Sequence, residues 1–364
     1  MLMNKVYFIY IGGKLPKYAI ASIRLAEKYS GLKIHLIANS ICKKQIQKLC
    51  INFTSIESFY CSKKFKNASK SLNLNENFRN GFWLKTLERF FILEQFMIKK
   101  KIHSIFHAEI DQLLFRCDKL ISSIKKTNKK GLFVPFHNKN YVVASIIFIN
   151  KLSVLKSIIQ SIDKMRKCSN DMELLAAWSK KNPKKIFALP TLATEFKYLH
   201  HILPKNVNII KAKEIGGVVD AAQLGQWVGG IDPKNVSILR VPRTKFVDEP
   251  KRWLLSLNDL KQIQFKWMDN KNHQLNLNFK KKKFQIYNLH FHCKMHHNIV
   301  NKNPSIFSLI VNSNSSQSMI FDGIRIIQIQ YFFLDYFSIL KSYLQNPFKI
   351  YFFLKRKLFN DKQN

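Results

Sequence analysis

An α/β protein with a mixed, mainly parallel central sheet flanked by helices, followed by an amphipathic helical tail, is the fold class this sequence predicts. Three observations carry that expectation. Val6 to Ile11 is an unbroken run of β-branched, aromatic and apolar residues ended by Gly12 and Gly13, the pattern of a strand buried on both faces. A helical pattern follows from Tyr18 to Tyr29, with Ile20, Ile23 and Ala26 on one side and Gly31 as the stop, and Lys33 to Ala38 is a second strand. Strand, helix, strand in that order builds a parallel pair with a right-handed crossover.

The rest of the chain extends the pattern. Residues 62–77 are polar and rich in Lys and Asn, and read as an exposed loop. FWLKTLERFFILEQFMIKKK (82–101) is an amphipathic helix offering Leu84, Leu87, Phe91, Leu93 and Met97 to the core. SIFHAEIDQLLF (104–115) is a buried strand that surfaces to present acid. GLFVPF (131–136) and YVVASIIFIN (141–150) are two further strands, Ser153 to Met165 is a helix, and Asn170 caps another. The α/β domain is expected over 1–299, with a basic aromatic tail over 300–364.

The chain carries 61 Lys and Arg against 22 Asp and Glu, a formal charge of +39, which selects anionic partners but says nothing about fold. A Lys- and Asn-rich composition of this kind also arises from base composition of the gene. The six cysteines form no C-x-x-C pair and no dense framework, so they read as reduced thiols of a cytoplasmic protein. The first apolar run is too short for a spanning helix. The tail, with its aromatic clusters set among lysines and broken by Pro347, reads as a helix lying on the inner face of an anionic membrane; packing against the main domain is the competing reading.

Chemistry concentrates in four places. In extended chain, Glu109 and Asp111 project to one face with Ile110 on the other, a pair suited to a hard divalent cation such as Mn2+ or Mg2+. Lys85 and Arg89, four apart on the preceding helix, can neutralise a diphosphate; two solvated cations is the plain alternative. Asp171 and Glu173 lie in a first helical turn, where the dipole favours acids anyway, and either can serve as an acceptor-side base. FQIYNLHFHCKMHH (284–297) reads as one strand with His290 and His292 on one face, completing the coordination begun by the carboxylates, and Lys294 beyond. A closed zinc site from Cys293 and the neighbouring histidines stands as the alternative. Tyr10 to Gly13 falls where ligands bind such sheets, beyond the carboxyl end of a strand, although it is no G-x-G-x-x-G loop. DAAQLGQWVGGIDPKN (220–235) reads as a Gly-rich loop wrapping an acceptor through Asp220, Gln226 and Trp227, or as a structural turn that Asp220 and Asp232 cap.

In their order along the chain, VYFIYIGG, HAEIDQLLF, NDMELL, DAAQLGQWVGGIDP and NLHFHCK resemble bacterial glycosyltransferases of the GT-A fold that build surface polysaccharide and lipopolysaccharide. The resemblance spans roughly residues 4–297. It implies a GT-A-like, single Rossmann-type domain, a nucleotide-sugar donor and a glycan or lipid-linked acceptor. The family's acidic motif is typically D-x-D; Glu109 stands where the first Asp usually does, which leaves Asp111 as the firmer metal ligand. Carried over, the resemblance makes Asp171 or Glu173 the acceptor-side base and puts His290, His292 and Lys294 near the diphosphate, where the residue reading already sets Tyr10, Gly12, Lys85 and Arg89 on the donor side. Specific nucleic-acid binding is not expected. A nucleic-acid-binding protein or metal-dependent nuclease, and a noncatalytic membrane-associated scaffold, are the rival readings; the first is disfavoured because the aromatics follow core patterns rather than lining a basic stacking surface.

Overall fold

The computed structural model describes residues 5–72, 74, 81–165, 168–196, 202–229, 255, 259–260, 262–268 and 274–291. All belong to one unit of the chain, Met1–Asn314; the expected tail and its boundary lie outside the described residues.

The central sheet contains β1 (Lys5–Tyr10), β2 (Lys33–Ala38), β3 (Asn52–Ser55), β4 (Ile105–Ala108), β6 (Leu132–Asn138), β7 (Tyr141–Val142), β8 (Ile146–Ile149), β9 (Ile186–Leu189) and β10 (Asn208–Ile209). Its order is β10-β9-β6-β8-β4-β1-β2-β3, with β7 on β6. Of the eight strands in this row only β8 is reversed, pairing antiparallel with both β4 and β6. The other seven therefore end along one edge of the sheet, the edge at which ligands bind in such folds. Both faces are covered, which is why the strands read as continuous apolar runs: Tyr7 and Ile9 enter one core cluster, Val6 and Phe8 the other. Helix α3 (Phe82–Lys99) supplies Leu87, Phe91, Leu93 and Met97 to the first cluster, while α1 (Lys17–Tyr29) and α4 (Cys117–Lys126) cover the second with Ala19, Ile23, Leu120 and Ile124.

The expectations for β1, α1, β2 and α3 hold to within a residue or two. Five others are corrected. Part of the 62–77 segment is helical, α2 (Lys63–Ser69), because Phe65 is buried edge-on against Phe91 and Lys64 pairs with Glu94 at 2.8 Å. The 141–150 stretch divides into β7 and β8 at a turn, and the helix expected over 153–165 ends as α5 (Leu152–Gln160), followed by a short 3-10 turn. Residues 109–111 are not extended: Gln112 N–H donates to the Glu109 carbonyl at 3.2 Å, closing a turn between β4 and β5 (Gln112–Leu114). The run from 284 is two strands, not one. A second sheet has the order β11 (Gly217–Val218), β14 (Lys282–Ile286), β13 (Gln274–Phe279), β12 (Gln264–Met268). After β14 the chain changes partner at Tyr287, whose N–H donates to the Val218 carbonyl while its own carbonyl accepts from Phe115 N–H. It then runs on as β15 (Asn288–His290), antiparallel to β5.

His107 on β4 is fully enclosed, with Nδ1 2.8 Å from the Tyr7 carbonyl, an acceptor that makes this nitrogen the N–H donor. Burial, with Arg89 adding to it, lowers its pKa from the ordinary 6.5 to about 3. Above pH 6.5 the ring is neutral in both states and contributes no pH dependence; between 6.5 and about 3 only the unfolded chain takes the proton, so acid destabilises the fold. His107→Gln is expected to make the stability difference between pH 7 and pH 5, measured by urea unfolding, smaller by about 2 kcal/mol. An unchanged difference would mean that the ring is charged in the folded protein.

Candidate active site

Helix α3, the β4–β5 turn, α6 (Asp171–Lys181) and β15 each bring one or two side chains to the carboxyl edge of the sheet. Arg89 is buried. Its Nη1 lies 2.6 Å from Glu109 Oε1, its Nη2 2.9 Å from Asp171 Oδ2, and its Nε donates to the Thr86 carbonyl at 2.9 Å. A guanidinium is planar and forked, so it holds the two carboxylates in a defined relation to each other. Asp171 is 3% exposed, and burial pushes its carboxyl above the ordinary carboxylate range; Arg89 opposes that shift and Glu109 adds to it.

On the outer side of this pair sits a second cluster. His290 Nε2 is 3.4 Å from Glu109 Oε2 and 3.3 Å from Asp111 Oδ1. One ligand atom from each of Glu109, Asp111 and His290 falls within 4.8 Å of the others, close enough for all three to bind one ion. Burial alone would lower the His290 pKa, but Asp111 and then Glu109 outweigh it and hold it above the ordinary value. Two carboxylates and an imidazole, with Arg89 balancing no more than Glu109 and Asp171, form a donor set that fits a hard or borderline divalent cation. The turn brings Glu109 and Asp111 together as the extended reading expected, by a different backbone route.

His290 is held by groups whose role was not legible as such. Asp220 accepts four backbone N–H bonds, from Gln223 (2.8 Å), Leu224 (2.9 Å), Gly225 (2.8 Å) and His290 (3.0 Å). It therefore caps the short helix Leu224–Gly229 and pins the histidine's backbone at once. The cap expected of Asp220 is seen, and the segment expected as a loop begins as a helix; residues 230–235, Asp232 among them, lie outside the described residues. Asn288 is buried, accepts from Asp220 N–H at 2.9 Å, and donates to Gln112 Oε1 at 2.8 Å and to the Asp220 carbonyl at 3.2 Å. Gln112 follows Asp111 directly, so the network Gln112–Asn288–Asp220 ties both arms of the cluster to one buried frame. The available signal was polarity out of place: a Gln and an Asn inside apolar strand runs. Gly225 lets two backbones approach closely, since a Cβ there would overlap the His290 carbonyl oxygen.

The remaining candidates fall into place around this centre. Glu173 accepts from Ser169 N–H and Oγ–H (2.9 and 2.8 Å) while Asn170 Oδ1 accepts from Glu173 N–H at 2.9 Å, a reciprocal cap on α6. Lys85 is partly exposed, one turn before Arg89. Tyr10 donates its hydroxyl to the Lys14 carbonyl at 3.1 Å. Gly12, at φ +153°, donates N–H to Asn39 Oδ1 at 2.9 Å, shaping the loop after β1. Gln226 lies in the Leu224–Gly229 helix; the side chain of Trp227, and all of His292, Cys293 and Lys294, lie outside the described residues. A small, partly open pocket beyond β6 and β9 is lined by His137, Thr191, Asp220, Gln223 and Leu255, among others.

No protein-family model matches the chain, and no curated protein matches its sequence. Among solved structures it is similar to the apo form of mouse xyloside xylosyltransferase 1, at 8% identity and a TM-score of 0.37 over 52% of this chain and 85% of that one. It is also similar to the galactosyltransferase LgtC in complex with donor and acceptor sugar analogues, at 11% identity and a TM-score of 0.34 over 48% and 70% of the two chains. A cytidylyltransferase from Leptospira borgpetersenii is similar at 9% identity and a TM-score of 0.31 over 52% and 77%.

Asp220→Asn replaces an acceptor oxygen by an amide donor that would face backbone N–H groups in a buried site. We expect it to cost about 3 kcal/mol of stability by chemical denaturation. A loss below about 0.5 kcal/mol would show that the four bonds do not hold this frame together.

Proposed function

We propose that this chain is a metal-dependent glycosyltransferase, moving a sugar from a nucleotide-sugar donor to a glycan or glycolipid acceptor in cell-surface polysaccharide or lipopolysaccharide synthesis. The observation that carries the proposal is the convergence of Glu109 and Asp111, from the turn after β4, with His290, from β15, at the carboxyl edge of a mainly parallel sheet in which β4 is the neighbour of β1 and its glycine loop. Sugar transfer from a nucleoside diphosphate develops negative charge on the leaving group, and a site that accelerates it must stabilise that charge. Glu109, Asp111 and His290 would hold Mn2+ or Mg2+, and such a cation, when bound, supplies charge neutralisation to phosphate oxygens.

The other residues take supporting parts in this reading. Lys85 lies one turn before Arg89 on α3 and would contribute positive charge toward the diphosphate. Gly12 lets the loop after β1 turn at its positive φ, clearing space beside the strand end for a nucleoside. Arg89 and Asp171 are positioning residues: Asp171 holds the guanidinium and the guanidinium orients Glu109. Glu173, engaged with Ser169 in the cap of α6, sets the helix that carries Asp171. The cytoplasmic face of the cytoplasmic membrane is the place of action.

The test is thermal unfolding of the purified protein with a panel of nucleoside diphosphates and nucleotide-sugars, each with Mn2+ and with chelator. Ligand at 100 times Kd stabilises by roughly 2.7 kcal/mol, a rise of a few degrees. A rise that needs both metal and one base is expected, and Asp111→Asn is expected to abolish it while leaving the unliganded midpoint within about a degree. No metal-dependent rise with any nucleotide would overturn the proposal.

A further inference from the structure

Ser40–Ile46, directly after β2, is a 3-10 helix, whose three-residue repeat sorts its side chains into rows. Cys42 and Gln45 form the row that faces the loop after β1. Cys42 Sγ–H donates to the Gly13 carbonyl at 3.0 Å, and Gln45 both donates to the Leu15 carbonyl at 3.0 Å and accepts from Leu15 N–H at 2.6 Å. With Asn39 accepting from Gly12 N–H, four hydrogen bonds join Gly12–Leu15 and Ser40–Ile46 into one ledge. Ile41 and Lys44 form the outward row. Ile41 is 55% exposed, and of the described residues only Ile98 is another large exposed apolar side chain. Lys14, Lys43 and Lys44 are exposed around it. Glu57, the acid at the base of the ledge, accepts from Asn39 Nδ2 (2.8 Å), Ser40 N–H (3.1 Å) and Ser55 Oγ, which hold it ionised; Lys14, Lys43 and Lys44 outnumber it, and the ledge is net positive.

We propose that this ledge docks the protein on an anionic lipid bilayer, with Ile41 entering the headgroup boundary and Lys14, Lys43 and Lys44 meeting lipid phosphates. A soluble polyanion would account for the lysines and gain nothing from an isoleucine held outward among them, whereas a bilayer surface uses both. The ledge follows β1 and β2, and the carboxylate cluster follows β4, the strand on the other side of β1. Two strand spacings, about 10 Å, separate them along the same edge. A bilayer against the ledge would bring a lipid-carried acceptor close to the cluster. That consequence rests on the transferase reading; the docking itself does not.

The test is co-sedimentation of the full-length protein, Ile41→Ser, Ile41→Trp and the double variant Lys43→Gln/Lys44→Gln with phosphatidylcholine vesicles containing or lacking phosphatidylglycerol. Thermal midpoints serve as the fold control. Wild type is expected on the anionic vesicles only. At about 1 kcal/mol per lysine the double variant should bind roughly thirtyfold more weakly, Ile41→Ser roughly tenfold more weakly, and Ile41→Trp more tightly. Variants that sediment like wild type would overturn the proposal by showing that binding resides elsewhere in the chain. So would a double variant that loses affinity for a short RNA duplex but not for vesicles. No nucleotide enters the measurement, so its outcome is independent of the thermal unfolding test of transferase function.

Discussion

A guanidinium carried into the interior of a protein has to be matched by negative charge, and here Arg89 is matched twice, by Glu109 and by Asp171. Much else in the site depends on that match. Removing Arg89 would leave two carboxylates facing each other without a compensating cation, so α3, the β4–β5 turn and the start of α6 are held to one another through it. Asp171 is thereby buried against Arg89, and Glu109 presents one oxygen inward to Arg89 and the other outward to His290. Carboxylate charge beyond what Arg89 balances collects on Asp111, where His290 also points.

The second constraint is the change of partner at Tyr287. A strand that had continued in the small sheet would have carried its histidine away; by passing to β5 it sets His290 opposite Gln112, one residue from Asp111. The frame that stabilises this crossing is polar and buried, built from Asp220, Asn288 and Gln112. Such networks hold a single geometry only when their members are satisfied, and the four N–H bonds to Asp220 meet that condition for its carboxylate. The glycine at 225 belongs to the same frame, since its missing side chain is what lets the helix start against the His290 backbone.

Sheet direction links these local arrangements to the ledge after β2. Because seven of the eight strands in the main row point the same way, the glycine loop, the 3-10 ledge, the acidic turn and the pocket beyond β9 open on one edge. The same edge carries cationic and apolar groups on one flank and carboxylates in the middle, an asymmetry that would orient an anionic partner across it.

Local order was legible in the chain. β1, α1, β2 and α3 follow from runs of β-branched residues, from helical periodicity and from Gly stops, all of which act between neighbours in sequence. The pairing of Glu109 with Asp111 and the presence of His290 in the centre were legible too, as residue types whose chemistry is unusual in an apolar run. Tertiary structure alone decided the rest. It placed Arg89 between two carboxylates, one of them 82 residues away in sequence, and turned Asp220 from a loop acid into the anchor of His290 across 70 residues. It also made α2 from a polar stretch by burying Phe65. These outcomes depend on charge compensation and burial between segments remote in sequence, and a local pattern holds no record of which remote group will arrive.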